Sequence, residues 1–278
     1  MTLDFNRPII ENAEKNVLIC AHRGFATGNI PCNTSSAFKA ALMSGADMIE
    51  LDVARSREGE LFVFHPGMEE PHLHTVLPLK VQPASMIEKR RFVNQDDTKT
   101  QFGISRLEDI FMLLKDKCYI NVDKFWTDIP GITELIYKCK VEKQVVVKAK
   151  INEKNIALIK QYAKELMFLP IVRGEDTVTD WLTAQGINCI GAEVLFESDE
   201  EAVASTDYIE AMHKKGKIVF VNSIVYDYKD ILAGVHNDDT AISSSPDLGW
   251  GWLIDRGYDI IQTDWCPLLK QYRDSRSK

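Results

Sequence analysis

Short β-rich runs alternate with single helix-length patterns almost to the end of this chain, and that alternation restricts the fold more than any other feature. "NVLICAHRG" precedes "NTSSAFKAALMSG". The Thr/Asn start of that second stretch, its apolar Phe38, Ala41 and Leu42 on one face and its closing Gly45 read as a capped amphipathic helix. "ADMIELDV", "CYINVDKF", "QVVVKAK", "FLPIVRG", "CIGAEVLF", "KIVFVNS" and "YDIIQTDW" read as further strands, most of them separated by helical stretches such as "NEKNIALIKQYAKELM" and "TDYIEAMHKKG". Strands joined by single helices imply repeated βαβ units and a parallel sheet. Strands beginning near Val17, Met48, Tyr119, Val145, Leu169, Ile190, Ile218 and Ile260 number about eight, which predicts an α/β fold, a TIM (β/α)₈ barrel over residues 1–278. A doubly wound open sheet is the alternative that the same alternation allows.

One run lies outside this count. "ELFVFHPG" follows "IELDV" after only "ARSREGE", too short for the crossover that a parallel neighbour requires. It is therefore assigned to a small insertion after the second barrel strand, at about residues 54–104, lying as a cap over the barrel end. The rest of that insertion, "HPGMEEPHLHTVLPLKVQPASMIEKRRFVNQDDTKTQ", carries prolines and no periodicity, the mark of a functional loop. The chain has 41 acidic against 33 basic residues, a net charge of −8, and its Lys and Arg are scattered. Electrostatics thus offers no ground for nucleic acid or anionic lipid as partners. No apolar run reaches the roughly 20 residues of a membrane span. The polar, acidic start "MTLDFNRPIIENAEKN" lacks the features of a secretory signal, so a cytoplasmic location is expected. Six cysteines stand far apart without a C-x-x-C pair, which suggests neither a disulfide framework nor a zinc cluster but reduced, mostly buried thiols. Nothing in the sequence sets an oligomeric state.

In a parallel barrel the functional groups gather at the C-terminal ends of the strands. Glu50 and Asp52 flank Leu51, so both carboxylates leave one face of a strand that should be buried, at a cost unless something positive sits between them. Asp123 ends the next barrel strand. Three carboxylates on adjacent strands make an all-oxygen site suited to Mg²⁺ or Ca²⁺, whereas zinc would recruit Cys or His. The plainer alternative is an ion network with Arg23 or Lys148. His22 ends the first strand beside Arg23 and Gly24, where backbone is expected to approach an anion closely. His65 ends the extra run that folds back over the same rim. Two imidazoles on opposite sides of a bound anion are what general acid and general base cleavage of a phosphodiester requires. His72, His74, His213 and His236 read as surface or satisfied core residues, and the pair Asp238 and Asp239 as solvated.

The series "HRG", "P-C-N-T" with "SSAF", "GADMIELDV", "GELFVFH", "INVDK" and "DIIQTDWCPLL", in this order from Ala21 to about Leu269, resembles the motif series of the glycerophosphodiester phosphodiesterase family. That resemblance implies a TIM barrel with a small insertion after the second strand, one divalent cation, and hydrolysis of glycerophosphodiesters to glycerol phosphate and an alcohol. It assigns His22 and His65 to acid and base catalysis, Glu50, Asp52 and Asp123 to the metal, and Arg23 to a phosphate oxygen. The chain also departs from the family pattern. Cys32 stands where the family commonly has Glu, and Pro66 where it commonly has Asp after the second His. A Lys usually lies two positions after the third acidic residue, but here Phe125 does, and strand alternation predicts that Phe125 rather than Lys124 shares the face of Asp123. Lys148, at the end of the next strand, is the candidate to supply that charge to the phosphate. Release of a cyclic phosphate, and a non-catalytic barrel that binds phosphorylated ligands, are the other functions open at this level.

Overall fold

Runs of buried β-branched and aromatic residues such as Val145–Val147 and Ile218–Val221 form the strands, as expected where both sheet faces are covered. The structure is a computed structural model and describes residues 3–276. Its strands are β1 (Leu18–Ala21), β2 (Met48–Arg55), β3 (Leu61–Val63), β4 (Arg91–Val93), β5 (Lys99–Gly103), β6 (Tyr119–Asp123), β7 (Val145–Lys148), β8 (Met167–Leu169), β9 (Ile171–Arg173), β10 (Gly191–Leu195), β11 (Ile218–Asn222) and β12 (Ile260–Thr263). Parallel pairing runs in the order β8-β7-β6-β2-β1-β12-β11-β10-β9, a nearly closed barrel with helices between its strands. The fifth position, expected as one strand, is split by Pro170, which has no N–H to give a neighbour. Pairing continues on both sides of the break. The Phe168 N–H donates to Asn188 O at 3.0 Å, and the Glu193 N–H to Pro170 O at 2.9 Å.

The barrel interior is apolar below and polar above. Leu18, Met48, Tyr119, Val146, Leu169, Phe220 and Ile260 pack together at the N-terminal end. The short helix Ile9–Ala13 closes that end, where Asn12 Nδ2 donates to Tyr119 Oη at 2.7 Å. One layer higher the inward residues are Glu50, Asn121, Lys148, Glu193, Asn222 and Gln262, all buried. This polarity gradient directs the chemistry to the C-terminal rim.

Between β2 and the helix Leu107–Leu114 the chain builds a small layer over the rim. β3 pairs antiparallel with β2, Val53 opposite Val63, and so continues past the barrel before turning back. Two short helices (Glu69–Leu73, Ala84–Ile87), a single 3₁₀ turn and the β4–β5 hairpin follow. Phe62, Phe64, Leu73, Leu79, Ile87, Phe92 and Ile104 give this layer its own core. The stretch expected to be aperiodic loop is therefore ordered. Its elements are too short to show an amphipathic repeat, which explains why the sequence looked irregular. Among the described residues no helix is long and apolar enough to cross a membrane. Five of the free cysteines are buried and Cys32 is half-buried.

Candidate active site

The C-terminal end of β1 is shaped by two consecutive residues in the left-handed region, Arg23 (φ 54°) and Gly24 (φ 83°). A Cβ on Gly24 would lie 2.8 Å from Ala37 C and 2.9 Å from the Phe38 ring. The glycine thus makes room for the helix Ser35–Met43, a packing role that the sequence did not show. That helix is capped by Thr34, whose side chain accepts from the Ala37 N–H. The turn aims the Arg23 N–H at Glu50 Oε2 (2.9 Å) and its guanidinium Nε at Asp52 Oδ2 (3.0 Å).

Parallel register sets the three carboxylates. Asp52 and Asp123 are direct neighbours on β2 and β6, and Glu50 lies one pair deeper, opposite Asn121. One ligand oxygen from each of Glu50, Asp52 and Asp123 lies within 4.8 Å of the others. Asp52 is 1% exposed and its Oδ1 is buried with no hydrogen-bond donor. A buried carboxylate oxygen that accepts no hydrogen bond, beside two further carboxylates, fits a hard divalent cation, the donor set that Mg²⁺ and Ca²⁺ prefer. Burial, and then the charge of Asp52, push the Glu50 carboxyl up. Burial acts in the same sense on Asp123, but Lys148 and Lys124 outweigh it and hold that carboxyl low.

His65 does reach the rim. The Phe64 N–H donates to Asp52 O at 3.0 Å as β3 returns, and His65 Nε2 lies 3.9 Å from Asp52 Oδ1. Burial, together with the nearby Arg23 and Lys124 charges, lowers its pKa against the pull of Asp52. His22 sits on the other side, with Nδ1 2.9 Å from Asp264 Oδ1. Burial alone would lower its pKa, but the hydrogen bond and charge of Asp264 raise it.

Two cations behave differently from expectation. Lys124 leaves the strand in the left-handed conformation (φ 57°), so alternation no longer applies. Its ammonium turns back to Asp123 Oδ2 at 2.7 Å and to Asp52 Oδ1 at 3.7 Å, while Phe125 is buried in the core between sheet and helices. Lys124, not Phe125, therefore shares the site with Asp123. Lys148 points into the barrel beneath the carboxylates and pairs with Glu193 Oε2 at 2.7 Å. Glu193 in turn accepts from Asn222 Nδ2 at 2.8 Å, and Asn222 Oδ1 accepts from Gln262 Nε2 at 2.6 Å. Lys148→Met would leave Glu193 as an unpaired buried charge, and we expect a loss of about 3–5 kcal/mol in denaturant unfolding. The double variant Lys148→Met/Glu193→Leu should recover most of that loss.

Residues given no role in the site from sequence complete it. Asn33, left-handed at φ 57°, donates from Nδ2 to Asp52 Oδ2 at 2.9 Å and accepts the Asp52 N–H at 3.3 Å. The left-handed Asn after a Pro-Cys turn was the available signal. Asp264 holds His22 and is itself fixed by Asp238, whose Oδ2 accepts the Asp264 N–H at 2.9 Å. Asp238 Oδ1 also accepts from Ser223 Oγ, Trp250 Nε1 and Thr263 Oγ1 at 2.7–2.8 Å. Asp238 is thus buried and not solvated as expected. It lies in the first turn of a helix packed on the barrel end, and although burial pushes its pKa up to about 6, four donors offset the cost. Asp239 is exposed and accepts from Tyr228 Oη.

A glycerophosphodiester phosphodiesterase of Caldanaerobacter subterraneus is 30% identical over 163 residues, 54% of this chain and 64% of that protein. One from Bacillus altitudinis is 60% identical over 47 residues, 17% of this chain and 19% of its own length. The chain is similar to glycerophosphodiester phosphodiesterases over part of their length. It spans less than two thirds of the length of these curated relatives. The solved structure of a glycerophosphoryl diester phosphodiesterase from Parabacteroides distasonis superposes with a TM-score of 0.78 at 17% identity, covering 97% of this chain and 93% of that one, and shows the TIM-barrel fold. An Oleispira antarctica phosphodiesterase, solved with the product sn-glycerol-3-phosphate, gives 0.66 at 16% identity over 94% of this chain and 98% of that one. A family model described as a domain of unknown function, DUF4996, matches residues 168–273.

Proposed function

We propose that this chain is a metal-dependent glycerophosphodiester phosphodiesterase that releases glycerol phosphate and an alcohol. The observation that carries the reading is the convergence of His22 and His65 on one rim around Glu50, Asp52 and Asp123. Its support from outside the chain is the kinship with proteins of that name.

In this reading Glu50, Asp52 and Asp123 hold one divalent cation, Mg²⁺ or Ca²⁺, which supplies Lewis acidity toward phosphorus when bound. Arg23 and Lys124 bind the non-bridging phosphate oxygens, with Lys148 adding positive charge from below. Asp264 occupies His22 Nδ1, which orients the ring and leaves Nε2 for the substrate. One histidine takes a proton from the attacking water as its oxygen bonds to phosphorus. The other gives its proton to the alkoxide as the phosphorus–oxygen bond to the alcohol breaks. If a neighbouring glycerol hydroxyl attacks first, a cyclic phosphate forms and water then opens it.

The test is incubation with a panel of glycerophosphodiesters and Mg²⁺ or Ca²⁺, with products followed by phosphorus NMR. Glycerol phosphate and free alcohol are expected. Accumulating cyclic phosphate would instead identify a lyase, and binding without turnover a non-catalytic barrel. Cys32→Glu adds a carboxylate next to Asn33, which already holds Asp52, and should tighten Mg²⁺ or Ca²⁺ about tenfold in calorimetric titration. Unchanged affinity would place position 32 outside the metal site.

A further inference from the structure

Beside the carboxylates, between the loop that follows β1 and the inserted layer, lies a cavity of about 430 Å³. Two of its lining residues, Cys32 and His72, connect it to the carboxylate site. Cys32 lines it one residue before Asn33, the partner of Asp52. His72 lines it from the inserted layer, packed edge-on against Phe64 with ring centroids 6.2 Å apart and near enough for Arg23, His65 and Asp52 to act on its ring. Asn94 Nδ2 donates to Asn29 Oδ1 at 2.9 Å and joins the inserted layer to the barrel loop across the cavity. Asn94 is fixed for that task, since its Oδ1 accepts the N–H groups of Asp96 (3.1 Å) and Thr98 (2.9 Å).

The chemistry of the walls is selective. Among the described residues no Lys or Arg lines the cavity, so a second anionic group has no partner there. No Phe, Tyr or Trp lines it either, so a quaternary ammonium finds no ring face. What the cavity does offer is the hydroxyl of Thr27 and the amides of Asn29 and Gln95. Such groups both donate and accept, as sugar-like hydroxyls do. Asn29 uses only its carbonyl oxygen in the bond to Asn94, which leaves its two N–H donors for a ligand. The one carboxylate, Asp97, is paired with His74. Building on the hydrolase reading above, we propose that this cavity receives the departing alcohol and selects a neutral, hydroxyl-rich one, such as glycerol or inositol, over choline.

The experiment measures both kcat/KM and Kd for glycerophosphoglycerol, glycerophosphoinositol, glycerophosphocholine and glycerophosphoethanolamine. The polyol diesters are expected to lead the choline diester by about tenfold or more. Asn29→Asp keeps the acceptor for Asn94 but removes the donors, and Gln95→Leu removes the second amide. The double variant should lose about tenfold on the polyol diesters, with the choline diester unmoved or improved by the added carboxylate. Equal handling of all four diesters, or an equal loss on all four in the variant, would overturn the assignment. If none is turned over, the hydrolase reading fails. The Kd ranking then decides the cavity alone: a polyol preference erased by the double variant upholds it as a polyol site, and no preference refutes it.

Discussion

Asp52→Asn and Glu50→Gln are each expected to lower metal-dependent turnover by about 10³-fold or more and to abolish tight Mg²⁺ or Ca²⁺ binding in calorimetric titration. A Lewis acid contributes several kcal/mol to a phosphoryl transition state, and each 1.4 kcal/mol is roughly a factor of ten. The isosteric amides are chosen because Asp52 has a structural role too. It accepts from Asn33 and faces Arg23, so truncation to Ala would leave a buried guanidinium without its partner. Adding a chelator to the wild-type protein should reproduce the loss. Full activity in both variants and in chelator would show that the carboxylates form only the plainer ion network with Arg23 and Lys124.

His65→Ala should lower turnover by about 10²–10⁴-fold, the usual worth of a positioned proton-transfer group. Metal affinity should barely change, because His65 Nε2 stands 3.9 Å from Asp52 Oδ1 and supplies no ligand in the proposed site. The response to the leaving group separates its two roles. If His65 is the acid, a nitrophenyl ester should largely escape the defect, since nitrophenolate departs without a proton. An equal loss on good and poor leaving groups makes His65 the base and His22 the acid. A variant as active as wild type on every substrate would remove His65 from the mechanism.

Both tests concern residues that the sequence marks for different reasons. Glu50 and Asp52 stand out because two carboxylates two positions apart on a buried strand need an explanation. His65 stands out only through the short turn before it, which forces β3 back along β2 in place of a crossover. The same logic misassigned Lys124. Alternation holds only while the backbone is extended, and the left-handed turn at Lys124 ends β6 at Asp123, two residues earlier than the argument assumed. Asp238 was read as solvated because acidic loop residues usually are. Its four donors, from Ser223, Trp250 and the adjacent Thr263 and Asp264, come from three places along the chain, and no local pattern shows that they meet.

What the sequence determined by itself is periodic and local: the number and order of the crossover units, the insertion after the second strand, and the face from which Glu50 and Asp52 project. These follow from side-chain alternation and from the minimum length of a parallel connection, which act over a few residues. Only the tertiary structure decided how the groups are shared. Parallel register set Asp52 beside Asp123, and the antiparallel return of β3 carried His65 to them. Lys148 spent its charge on Glu193 across the barrel, and Asp264 was held for His22 by Asp238. Each of these is a pairing between segments far apart in the chain. Burial makes such pairings obligatory, because a charge taken out of water must find its partner wherever the fold supplies one.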